Sequence, residues 1–236
     1  MKLAVLIPTF FRPDGLRRAL QSVQDTVMFS DLEDVEVISV VAHEIDDPEA
    51  VVIAKEHRAT PAENKLSRRG NAYAWNTCLA AEPDCDAYVL GQDDAYFMYG
   101  WLEEVIRCIA AGYGFIGLND NDYRECRCVN GKHVRNTKWY TNYVMTRDFI
   151  LDYHGGVMAV PHYNGYSMDV EATQRAKRAG KFVYAPHANV KHDYRGTAGG
   201  GQGKVNLRIY NRREANGFPD DFEPIITRTT NACQNN

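Results

Sequence analysis

The 236-residue sequence has no apolar run approaching the ~20 residues that span a bilayer. Its first apolar run, Leu3 to Pro8, is too short for the hydrophobic region of a secretory leader. It has no CxxC pair: of six cysteines only Cys126 and Cys128 lie close together, which argues against a zinc ribbon and for reduced thiols. It has no internal repeat. It has no excess of positive charge either; the formal net charge of −4 gives no global attraction to nucleic acid. Basic residues do cluster locally, at Arg68-Arg69, Arg175 to Lys181 and Lys204 to Arg213. These absences predict a soluble, cytoplasmic protein of one large domain, and 44% hydrophobic residues suffice to bury a core without disulfides or a structural metal.

What the chain does have is an alternation of short apolar strands and amphipathic helices, the pattern of an α/β sheet covered by helices. Leu3 to Ile7 is continuously apolar and ends at Pro8, as buried parallel strands do. Pro13 opens a helix with Leu16, Leu20 and Val23 on one face. Further strands are predicted at Val35 to Val41, Ala87 to Leu90, Phe115 to Leu118, Tyr140 to Thr146 and Lys181 to Tyr184. Helices are predicted after Asp47-Pro48, over Gly70 to Ala81, Trp101 to Ala111, Arg147 to Tyr153 and Asp169 to Ala179. Asn119 to Lys138 is polar and reads as a loop excursion. The glycines from 199 to 203 read as a hinge or lid before a basic helix over Val205 to Ala215.

Five strand-end or helix-end clusters carry polar chemistry. Gly91-Gln92-Asp93-Asp94 puts two hard carboxylates beyond an apolar strand, where open sheets bind ligands and where Mg²⁺ or Mn²⁺ is held. On its own such a pair is more often a solvated turn or helix cap than a metal site. Pro8-Thr9-Phe10-Phe11-Arg12 can offer backbone N–H groups and a guanidinium to an anion, or be a plain connection. Glu44 to Asp47 ends the second strand; Asp47 fits a helix cap before Pro48, whereas Glu44 has no such use and suits a base or ribose. Arg68-Arg69-Gly70 precedes a helix start, an anion site by its dipole, with Asn76 on the Ala72 side facing the same way. Asp169 at a helix start suits a cap or a general base, and His192 a metal ligand or a surface group.

In this order the clusters resemble the GT-A glycosyltransferases, especially the large inverting family 2 and its phage relatives. The matching stretches are LAVLIPTFFRP, EVISVVAHEIDDP, RRGNAYAWN, DAYVLGQDDAYFMYGWLEEV and GYSMDVEATQRAKRAGKFVYAPHANVKHD. The resemblance implies a Rossmann-like mixed sheet flanked by helices over residues 1–195, followed by a Gly-rich lid and basic extension over 196–236. It implies a nucleotide-diphosphate-sugar donor, most often a UDP-sugar, and Mn²⁺ or Mg²⁺. Pro8, Thr9, Arg12, Glu44, Arg69, Gly70, Asn76 and Asp93 would then line the donor site. Asp94, Asp93 and His192 would hold the metal, and Asp169 would be the base of an inverting transfer.

Three departures matter. Gln92 replaces the first acid of the usual Asp-x-Asp, Glu44 is a methylene longer than the usual acid, and Met168 stands where an acid often precedes the base. The acceptor that the resemblance allows is a hydroxymethylated base in phage DNA (in the host cytoplasm) or a glycan. A sugar nucleotidyltransferase is the rival enzyme, although no Gly-rich basic loop follows the first strand. A non-catalytic nucleotide-sugar-binding relative is the rival binder, suggested by Gln92.

Overall fold

A computed structural model describes residues 1–65, 70–120, 140–163, 167–193 and 205–228, with backbone alone for 126–129, 132–135 and 202–204. The chain runs β1 (Lys2–Pro8), α1 (Pro13–Met28), β2 (Glu36–His43), α2 (Pro48–Glu56), β3 (Thr60–Glu63), α3 (Asn71–Ala81), β4 (Ala87–Leu90) and β5 (Ala95–Phe97). It continues through α4 (Trp101–Ala110), β6 (Phe115–Asn119), β7 (Cys126–Val129), β8 (Lys132–Arg135), β9 (Tyr143–Thr146), α5 (Arg147–Tyr153), α6 (Met168–Arg178), β10 (Phe182–His192) and α7 (Gln202–Ala215).

Eight strands form one mixed sheet in the order β3-β2-β1-β4-β9-β6-β10-β5, and β7 pairs with β8 as a separate hairpin inside the expected loop. β1 pairs in parallel with both β2 and β4, while β9 runs antiparallel between β4 and β6. The alternation of side chains along β1 divides the core. Leu3, Val5 and Ile7 join α1 and α4 on one face; Ala4 and Leu6 join α3, α5 and α6 on the other. All five are fully buried, which is why this strand reads as an unbroken apolar run.

After β1 the chain builds outward to β2 and β3, then crosses back to lay β4 on the other side of β1. That reversal opens a crevice beyond the carboxyl ends of β1 and β4, and Thr9 and Gly91 to Asp94 stand there. Gly91 allows the approach: a Cβ there would lie 3.0 Å from the Leu6 carbonyl oxygen.

Two strands have no signature in the sequence. β3 carries Pro61 and survives because it is the sheet edge, where a missing N–H costs little. β5 has three residues and exists through its pairing with β10. β10 runs eight residues past the expected end at Tyr184, its register with β6 breaking between Ala185 and Asn189 around Pro186.

The described C-terminal residues share this core. Glu171 of α6, fully buried, accepts from Arg213 Nε at 2.9 Å, Arg175 Nε at 2.9 Å and Tyr163 Oη at 2.7 Å. Arg213 also pairs with Asp221, so the last cation of the basic cluster is committed to the interior. The Gly156 carbonyl accepts from Ile225 and Ile226 N–H at 2.9 and 3.0 Å. Gly156 itself has φ of 74° and no room for a Cβ, which would meet the Ile226 oxygen at 2.3 Å.

Candidate functional site

A cavity of about 440 Å³ opens at the reversal point, lined by residues from the ends of β1, β2, β3 and β4 and the start of α3. Pro8, Thr9, Arg12, Glu44, Gly70, Asp93 and Asp94 all contribute, as the sequence leads one to expect. Arg69 lies outside the described residues. Phe10, Asn64, Asn71 and Trp75 also line it. Asn64 escapes a reading by motif because it ends β3, the strand with no apolar signature.

The two aspartates are differently employed. Asp93 is buried; its Oδ2 accepts from Thr9 Oγ1 at 2.9 Å and its Oδ1 from Arg12 Nη1 at 2.9 Å. Burial pushes its carboxyl above the ordinary range despite Arg12. Asp94 accepts from His192 Nε2 at 3.0 Å and from Arg12 Nη1 at 3.1 Å. Burial alone would raise its carboxyl, but His192 and Arg12 together hold it below the usual value. His192 arrives because β10 pairs antiparallel with β5, placing His192 opposite Ala95, the residue after Asp94. The Asp193 N–H closes the junction on the Asp94 carbonyl at 2.8 Å.

The carboxylate oxygen suits Mn²⁺ or Mg²⁺, and the imidazole nitrogen 3.0 Å away adds a softer donor that fits Mn²⁺ better than Mg²⁺. Among the described residues no three His, Cys, Asp or Glu side chains form a complete metal cage. A cation at Asp94 and His192 would therefore draw further ligands from phosphate oxygens and water, which is the usual habit of Mg²⁺. The donor set fits on those terms, with Asp93 kept on Thr9 and Arg12. Gln92 also lines the cavity, its Nε2 lying 3.5 Å from Asn142 Oδ1.

On the β2 side, Asp47 settles as a cap: Oδ1 accepts from Ala50 N–H at 3.2 Å and Oδ2 from Phe11 N–H at 3.1 Å. Glu44 is 5% exposed and accepts from Asn64 Nδ2 at 3.1 Å through Oε1.

Asn76 is a correction. It does not line the cavity; its Oδ1 accepts from Met158 and Ala159 N–H at 2.9 and 3.0 Å, and its Nδ2 donates to the Ala159 carbonyl at 2.7 Å. The helical face shared with Ala72 turns to the interior, where Asn76 ties α3 to the segment before α6. Asn76→Ala should leave three buried backbone groups unpaired and destabilise the protein by about 3 kcal/mol in urea unfolding. Nucleotide affinity of the folded fraction should be unchanged; a selective loss of affinity would return Asn76 to the binding site.

Asp169 sits in the first turn of α6, apart from the cavity lining. The residue is half-buried. Burial raises it to about 6, against the pull of the Val170, Asp169 and Ser167 N–H groups. A carboxylate with that affinity for protons is ionised at neutral pH and still basic enough to accept one.

The sequence matches no protein-family model and no curated protein. The fold does have solved counterparts. S. aureus TarS in complex with UDP superposes with a TM-score of 0.58 at 14% identity, covering 78% of this chain and 57% of that one. Glucosyl-3-phosphoglycerate synthase from Mycobacterium tuberculosis, in complex with Mn²⁺, UDP and phosphoglyceric acid, gives 0.60 at 15% identity, covering 93% of this chain and 80% of that one. The chain thus spans less than two thirds of the TarS chain. At such identities the shared property is the fold, the helix-flanked mixed sheet of the GT-A glycosyltransferases.

Proposed function

We propose that the protein transfers a sugar from a nucleoside-diphosphate donor to an acceptor hydroxyl. The observation that carries this reading is the Asp94–His192 pair at the mouth of a nucleotide-sized cavity, at the point where the sheet reverses direction. Thr9 and Arg12 hold Asp93, and Arg12 is a fixed cation beside the place where diphosphate charge would lie. A divalent ion held by Asp94 and His192 would supply charge neutralisation for the departing diphosphate. Asp169 accepts the proton of the acceptor hydroxyl as the anomeric carbon is attacked, giving inversion. Burial keeps its carboxylate reactive, and the folded scaffold rather than a flexible loop supports it.

The acceptor we infer is a hydroxymethylated DNA base or a glycan. Arg208 and Arg212 of α7 are exposed and able to meet phosphates, whereas Arg213 is not. Duplex binding that weakens steeply with salt would favour DNA.

The direct test is release of free nucleoside diphosphate from a panel of sugar donors, with Mn²⁺ and then with EDTA. Metal-dependent release is expected. Donor binding without release in any combination, acceptors included, would leave a binding protein instead.

A further inference from the structure

Glu44 Oε2 and Asn64 Oδ1 are buried in the cavity wall, and neither meets a hydrogen-bond donor among the described residues. Both residues are more than nine-tenths buried. The contact between Asn64 Nδ2 and Glu44 Oε1 fixes the amide the right way round, because the opposite flip would set oxygen against carboxylate. Two acceptors on neighbouring side chains are therefore taken out of water and unpaired. An unpaired buried acceptor is costly, so a ligand that supplies the missing hydrogens gains that much in affinity.

We infer that this pair reads the base of the donor nucleotide and selects guanine. The inference rests on the nucleotide-sugar reading above and sharpens it. Place in the sheet assigns the pair to the base. The presumed diphosphate end is at β4, and Glu44 and Asn64 end β2 and β3, two and three strands away, or ~10–15 Å at ordinary strand spacing. Guanine offers adjacent donors on one edge, N1–H and the N2 amine. Uracil offers a single N3–H between two carbonyl oxygens, which a carboxylate and an amide oxygen would repel. Adenine and cytosine place a ring acceptor beside their one amine. The chemistry of the wall thus runs against the uridine that the sequence resemblance suggests.

Titration calorimetry of the full-length protein with Mn²⁺ and GDP, IDP, UDP, CDP, ADP and 2′-deoxy-GDP tests this. GDP should bind roughly 10- to 100-fold more tightly than UDP, with IDP, which lacks the amine, between them. Glu44→Gln and Asn64→Ser should erase most of the preference while circular dichroism stays native. UDP binding as tightly as GDP would overturn the inference. So would a loss on 2′-deoxy-GDP as large as that on UDP, since the pair would then hold the ribose. If no nucleoside diphosphate binds, the transferase reading falls instead, and calorimetry tells these failures apart.

Discussion

Asp94→Asn should lower metal-dependent transfer on the order of 10²–10³-fold while leaving the protein folded. The carboxylate is held ionised by His192 and Arg12, so the substitution removes a full charge from a site organised around it. Asparagine keeps the size and can still accept from His192, which limits the structural damage. In calorimetry, the nucleotide affinity gained on adding Mn²⁺ should largely disappear, whereas affinity in EDTA should change little. Unaltered turnover would remove Asp94 from any metal role. Equal losses with and without metal would make its main function the placement of Arg12.

Asp169→Asn should reduce kcat by about 10²–10⁴ and leave donor affinity as it was. In the parent protein kcat should fall on the acid side with an apparent pKa near 6, matching the raised carboxyl. Asp94, held below the ordinary range, cannot supply that limb. Stability provides an independent reading of the same group. Its folded pKa lies above the unfolded value, so ionised Asp169 opposes folding. The penalty is absent below about pH 4, grows as pH rises, and is complete above about 6. The asparagine variant should therefore be more stable by about 1–2 kcal/mol at pH 8, with no advantage at pH 4. That figure is below the full shift because the amide faces backbone donors the carboxylate used. Transfer at the parent rate would place the base elsewhere; a stability gain at pH 4 as large as at pH 8 would contradict the buried charge.

The rim of the cavity was legible in the sequence for a physical reason. Each of Thr9, Glu44 and Asp93-Asp94 follows an apolar strand directly, and a sheet sends every parallel strand's carboxyl end to the same rim. What could not be read depends on pairing. Asn64 belongs to the rim only because an edge strand containing Pro61 joins β2, and His192 meets Asp94 only through the β5–β10 register. Asn76 misled for the opposite reason: its helical phase was right, but phase alone does not say whether a polar side chain faces a cavity or a buried backbone. The long β10 escaped notice because Pro186 interrupts its pattern at the bulge.

The clasp of Glu171 by Arg213, with Ile225 and Ile226 bound to the Gly156 carbonyl, has a consequence for how the protein is made. The strand ends that line the cavity have all been translated by residue 94. The helix carrying Asp169 gains this clasp only once residues 213–226 have been made. On a ribosome the cavity rim therefore has its sequence well before α6 is clasped, so under the proposed reading the donor rim precedes the anchored proton acceptor.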